Sequence, residues 1–166
     1  MVRIGKIVAS HGLNGDLILT HVVNKSGWLK KDDILFLEIN KGSYIPHFVI
    51  SARTTSSDEY IVRLEDVEKV ESAKRLVGKH AYVKEDILTG VADDSPLLWI
   101  GFNLVDKEKG GLGPIEDVLQ TGHQWLAKIT HEGKEVLIPL IDQMIIDVNL
   151  RNKYIRMDLP EGLLDL

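Results

Sequence analysis

Cysteine is absent from all 166 residues. That excludes disulfides, thiolate nucleophiles and cysteine-ligated zinc or iron–sulfur centres together. Only five prolines are present, and a composition that is 44% hydrophobic and 27% charged describes a globular chain and not a disordered or fibrous one. No apolar run reaches the ~18 residues of a membrane span. Met1-Val2-Arg3-Ile4-Gly5 leads straight into a strand pattern instead of a signal peptide, so a cytoplasmic protein without membrane attachment is expected.

Catalytic signatures are missing as well. The six histidines (11, 21, 47, 80, 123 and 131) include no H-x-x-x-H or H-E-x-x-H pair. Ser10, Ser51 and Ser72 stand in no G-x-S-x-G elbow, and Asp16, Glu65, Asp142, Asp147 and Glu161 follow no recognisable order with a base or nucleophile. Gly110-Gly111-Leu112-Gly113 is not followed by the Lys-Ser/Thr of a phosphate-binding loop and reads as a β-turn. No enzyme activity, cofactor or metal is expected, and binding becomes the working class of function.

The feature around which the chain is organised is Gly5 to Leu17 (GKIVASHGLNGDL), which joins two β-rich runs through a loop with two glycines. Alternation places Val2, Ile4, Lys6 and Val8 on one face of the first strand and Arg3, Gly5, Ile7 and Ala9 on the other. Gly12 and Gly15 supply positive φ or close approach, with Asn14-Gly15 a common turn pair. His11 is a candidate contact beside them, because turn geometry alone needs only the glycines. Gly12, Leu13 and Gly15 are candidate partner contacts in the same loop.

Further strands are read at Leu17–Val23, Ile34–Ile39, Tyr44–Thr54 and Tyr60–Leu64, with Pro46 marking an edge or bulge. The spacing of Val70, Ala73 and Leu76 or Val77 predicts a helix over Val67–Val77, ended by Gly78. Residues 89–96 have linker composition, which divides the chain into 1–88, a linker at 89–96, and 97–166. Beyond it, strands are read at Trp99–Asp106, Ile115–Leu119, Trp125–Thr130, Glu135–Ile138 and Tyr154–Asp158, with a loop at Lys107–Gly113. Two leucines in Pro160–Leu164 are expected to fold back onto a barrel. Trp28, Trp99 and Trp125 have apolar neighbours, and Trp99 is kept as a candidate partner contact.

Charge is uneven: residues 1–88 carry a net +1 and residues 89–166 a net −6. The acidic half suits a basic protein partner, whereas the near-neutral half leaves room for a local basic face.

The loop signature GKIVASHGLNGDL, the segment VRLEDVEKVESAKRLVGKHAYVKEDIL at 62–88, and the later IGFNLVDKEKGGLGPIEDVL, KEVLIPLID and YIRMDLPEGLLDL resemble the ribosome maturation factor RimM family, in family order over nearly the whole chain. The resemblance implies a mostly β protein of two small β-barrel domains, an N-terminal six-stranded barrel with one helix and a C-terminal PRC barrel. It further implies association with the free small ribosomal subunit and with a basic ribosomal protein of the subunit head. The head and its rRNA would mature with this help, with rRNA contact through the N-terminal domain, and the chain would act as a monomer. One departure is visible: where many members carry a Tyr-Tyr-Trp cluster and Asp-Leu, this chain has Asp94-Ser95-Pro96-Leu97-Leu98-Trp99. Two other readings are a flavin-reductase-like barrel enzyme, to which the N-terminal barrel type is also similar, and a PRC-barrel adaptor unrelated to ribosomes.

Overall fold

The computed structural model describes residues 1–23, 25–91 and 95–165. The chain forms two compact units, Met1–Leu98 and Trp99–Leu166. In the first, β1 (Val2–His11), β2 (Asp16–His21), β3 (Ile34–Asn40), β4 (Ser43–Ser56), β5 (Glu59–Leu64) and β6 (His80–Val83) close into a barrel in the order β1-β2-β5-β4-β3-β6. Every neighbouring pair is antiparallel. Alternation drives the closure, because Leu17 and Leu19, Leu35 and Leu37, Val62 and Leu64, and Ala81 and Val83 all turn inward and are buried.

The strict alternation expected of β1 fails at its middle. Val2 and Ile4 are buried, but Lys6 and Val8 are exposed and Ile7 is buried in their place. The register against β6 shifts between Arg3 and Gly5, and the register against β2 shifts between Ile7 and Ala9. A bulge inserts one residue and reverses the facing of everything after it. Glycine is required there by proximity, since a Cβ on Gly5 would lie 1.8 Å from the Thr20 carbonyl oxygen.

Strand β4 has 14 residues and serves two neighbours in succession. Ser43–Phe48 pairs with β3 and Val49–Ser56 pairs with β5, so the strand turns a barrel corner between them. Pro46 falls in the half with a partner on one side only, where a missing N–H is tolerated.

The single α-helix of the described residues, α1 (Val70–Leu76), is shorter than the Val67–Val77 expected. The N–H of Val67 bonds to the Leu64 carbonyl in a turn that precedes it, and Lys69 is the extended residue at its start. Ala73 and Leu76 are buried, whereas Val77 is 39% exposed. Gly78 takes φ 86° and donates its N–H to the Ile7 carbonyl at 2.7 Å, stopping the helix against β1.

An aromatic group closes part of the barrel core. His21 and Tyr60 have ring centroids 5.1 Å apart, His21 and Trp28 5.4 Å apart, and the Tyr60 hydroxyl accepts the Trp28 backbone N–H at 3.0 Å. Burial pushes the His21 imidazole below its usual range, with the Val23 backbone and the Asp58 charge opposing that shift.

Of the 89–96 segment, residues 92–94 lie outside the described residues. Thr89 and Gly90 are exposed, whereas Ser95 is buried and its hydroxyl donates to the Val22 carbonyl.

The second unit contains β7 (Asn103–Asp106), β8 (Gly110–Pro114), β9 (Asp117–Thr121), β10 (Gln124–His131), β11 (Lys134–Pro139), β12 (Ile145–Asn149) and β13 (Tyr154–Met157). They form two sheets, β11-β10-β9 and β12-β13-β7-β8, with β13 parallel to β7. Three readings of the sequence are corrected here. The strand expected from Trp99 begins only at Asn103, because Pro96–Trp99 is a turn of 3-10 helix. The glycine-dense segment read as loop pairs as β8, with Val105 opposite Gly111. The strand expected from Ile115 begins at Asp117, while buried Ile115 bonds to the Phe102 carbonyl from outside the ladder.

Asp106, 5% exposed, ties β7 to the chain end by accepting N–H groups of Glu108, Lys109 and Leu159 at 2.9–3.0 Å. Burial acts to raise its pKa, but the N–H donors of Lys109, Leu159 and Glu108 outweigh burial and hold the carboxyl below its ordinary value. Leu163 and Leu164 are half-buried in the short 3-10 turn Leu163–Asp165. No helix among the described residues is long and apolar enough to cross a membrane.

Candidate partner-binding surface

The loop between β1 and β2 is a four-residue excursion, Gly12 to Gly15, between the paired residues His11 and Asp16. Gly12 and Gly15 both have positive φ, 66° and 83°. Their surroundings differ. Nothing lies within 4 Å of a Cβ built on Gly12, whereas one on Gly15 would meet the Val67 carbonyl oxygen at 2.3 Å. Gly15 is therefore the seat of the loop, buried against the turn that precedes α1, and Gly12 only bends it.

Seating the base of the loop pushes its tip outward. Leu13 is 84% exposed, the most exposed large apolar side chain of the molecule's described residues. His11, Gly12 and Asn14 are exposed beside it. Arg63 of β5 clamps the start of β2 by donating two bonds to Asp16, Nε to Oδ1 at 2.6 Å and Nη2 to Oδ2 at 3.0 Å. Glu65, Asp66 and Glu68, all exposed, lie on the turn against which Gly15 packs, so the base of the loop has acidic neighbours.

The candidate contacts named from sequence thus separate. His11, Gly12 and Leu13 share one exposed loop, and Gly15 is the buried support beneath them. Trp99 is 2% exposed and belongs to packed structure. In the residues before it in sequence, Ser95 and Leu98 are buried and Pro96 and Leu97 are half-buried, while Asp94 lies outside the described residues. Trp28 is buried at 5% exposure and Trp125 is half-buried.

Sequence reasoning missed a second surface. Tyr44, Ile45, Phe48 and Ile50 of β4 are each 37–51% exposed. The available signal was apolar residues at both alternating positions of one antiparallel strand, where one face is ordinarily polar.

No group of three or more His, Asp or Glu among the described residues is arranged to hold a metal ion. A cleft of about 300 Å³ in the second unit is lined by residues that include Asp106, Asp158 and Leu164. Asp106 already spends its oxygens on backbone N–H groups there.

A closed six-stranded barrel with one helix, presenting a supported loop, and a second unit of two small sheets define a two-unit, mostly β protein, the fold class expected. The RimM N-terminal domain model matches residues 2–88 and the RimM PRC barrel domain model matches residues 99–163. The chain belongs to the ribosome maturation factor RimM family. It is 33% identical to the ribosome maturation factor RimM of Parabacteroides distasonis, over 99% of this chain and 95% of the relative. It is 29% identical to that of Christiangramia forsetii, over 98% and 94%. A solved RimM chain from Pseudomonas aeruginosa aligns over 99% of both chains at 20% identity with a TM-score of 0.47.

Proposed function

We propose that the chain is a cytoplasmic, monomeric ribosome maturation factor that binds the free small ribosomal subunit and a basic protein of its head, assisting head assembly and small-subunit rRNA processing. The observation that carries the protein contact is the β1–β2 loop, an 84% exposed Leu13 on a base fixed by Gly15. A leucine held in water by a rigid turn gains free energy when a partner covers it, and a pre-formed loop loses little entropy in doing so. The exposed carboxylates of Glu65 and Glu68 favour a partner with lysines and arginines around its apolar contact, while Asp66 is already bonded to His47 Nδ1 at 2.8 Å. Such a factor needs no covalent chemistry. It stabilises one arrangement of RNA and protein by binding it more tightly than its competitors.

The test is sedimentation of the tagged chain with purified small subunits, large subunits and joined ribosomes. Recovery with free small subunits above the other two is expected, because an assembly factor must leave before the subunit works. His11→Ala and Leu13→Ala should each weaken that recovery without moving the thermal midpoint. Equal recovery with free and joined subunits counts against assembly, and two loop variants that bind like the parent return the loop to plain architecture.

A further inference from the structure

The outer wall of the barrel turns an unexpected set of side chains to solvent. The alternation that buries Leu35, Leu37, Ala81 and Val83 sends Phe36 and Tyr82 outward, and the same alternation along β4 sends out Tyr44 and Pro46. Phe36 stands opposite Tyr82 on one side and Pro46 on the other. The rings of Tyr44 and Tyr82 meet edge to face with centroids 4.8 Å apart. The result is an aromatic shelf across three strands, on a wall that an antiparallel barrel ordinarily covers with polar residues.

One border of the shelf is cationic. Arg3 is opposite Tyr82 and Lys6 is opposite His80, and the β1 bulge is what brings Lys6 to this side. Both are exposed, and neither enters a salt bridge among the described residues. Glu38 is the sole carboxylate at an outward position of β1, β3, β6 and the Ser43–Ile50 half of β4. Its charge is engaged already: Oε1 accepts the Gly42 N–H at 2.9 Å, Oε2 accepts the Tyr82 hydroxyl at 2.9 Å, and His80 Nδ1 lies 3.8 Å away. Carboxylates gather instead toward Phe48, whose carbonyl bonds to the Glu65 N–H, and they mark the opposite limit of the shelf.

We propose that this wall binds an unpaired stretch of RNA, with bases stacked on Tyr44 and its aromatic neighbours and phosphates running along Arg3 and Lys6. Flat rings on a rigid sheet beside unpaired cations are the combination that single strands require, since every base has a stacking face and every nucleotide a negative charge. A wholly apolar protein partner would use the rings but would leave both cations desolvated and unmatched. The proposal rests on the ribosome-maturation reading for its source of RNA and assigns that reading a second surface, separate from the Leu13 loop.

The test is fluorescence anisotropy of the full chain with a labelled single-stranded RNA of mixed sequence, with the matching duplex as competitor. The single strand should bind in preference to the duplex. Tyr44→Ala should weaken binding about tenfold or more while Tyr44→Phe retains it, the size expected of one lost stacking partner. Arg3→Gln and Lys6→Gln should each reduce the slope of log affinity against log salt by about 0.7. Leu13→Ala should leave RNA affinity unchanged. Equal affinity for the parent and Tyr44→Ala, or preference for duplex, overturns the proposal. So does loss of binding to RNA-free small-subunit proteins in Tyr44→Ala with RNA affinity intact, which makes the wall a protein surface. If the parent sediments with small subunits but the wall variants bind RNA like the parent, this proposal fails and the function stands. A parent that binds single-stranded RNA through Tyr44 but not small subunits has the reverse meaning.

Discussion

Gly12 and Gly15 offer a controlled comparison, because they share a loop and a φ range but differ in what surrounds them. At Gly12, with φ 66° and open space around a built Cβ, an alanine meets only the left-handed backbone penalty, about 1–2 kcal/mol. At Gly15 the same penalty is joined by a Cβ 2.3 Å from the Val67 carbonyl oxygen and 2.9 Å from the Val67 carbonyl carbon. Both atoms are backbone, so no side chain can swing aside. Relief requires the turn before α1 to move outward, and that turn carries the buried Val67 side chain, 3% exposed. Forced displacement of packed groups adds about 1–3 kcal/mol, giving ~2–5 kcal/mol at Gly15 against ~1–2 kcal/mol at Gly12. Urea unfolding of Gly12→Ala and Gly15→Ala measures both losses on one scale. Asparagine sharpens the comparison, since it tolerates positive φ better than alanine. Gly12→Asn should recover most of the loss, and Gly15→Asn none of it. Equal losses at the two positions, or recovery at Gly15, would refute the assignment of Gly15 as the packed seat of the loop.

Two further outcomes are expected. Stability should fall as pH drops below about 6.5, because the unfolded chain takes up a proton on His21 at its ordinary pKa while burial holds the folded imidazole lower. His80 shifts in the same direction through burial and the charges of Arg3 and Lys6, so His21→Phe should reduce, without abolishing, the change in denaturation midpoint between pH 7 and pH 5 measured against the parent. Limited proteolysis should cut first at Thr89 or Gly90, which are exposed, and leave two resistant fragments; early cutting inside either fragment would count against two independently folding units.

Much of the first unit was legible because its strands bury one face and solvate the other. Leu17, Leu19, Val62 and Leu64 are buried and alternate with half-buried Thr20 and Arg63, although apolar Ile18 and Ile61 share that second phase and leave the facing less plainly written. Where the reading failed, a local geometry had replaced the period. The β1 bulge reverses facing after Gly5, and its cause is the approach of the Thr20 carbonyl, a contact between residues fifteen positions apart in sequence. In the second unit, glycine density at Gly110-Gly111 argued for a loop, yet pairing with β7 made it a strand. Tertiary pairing overrode local composition there, which is the ordinary way β propensity is overruled.

The binding surfaces show a different limit. The β1–β2 loop could be found from sequence because glycines announce a turn, but its division of labour could not: only the position of Val67, some fifty residues away, makes Gly15 a support and leaves Leu13 in water. The outer wall is harder still. Tyr44, Pro46, Phe48 and Ile50 alternate with Ile45, His47 and Val49, so apolar residues occupy both phases and periodicity cannot say which phase is the core. The answer comes from the neighbours, since β3 places buried Leu35 opposite His47 and half-buried Phe36 opposite Pro46. A strand that is apolar on both faces in an antiparallel barrel therefore carries more information than an alternating one. One face completes the core, and the other is exposed against the hydrophobic driving force, which is tolerated most readily where a partner covers it.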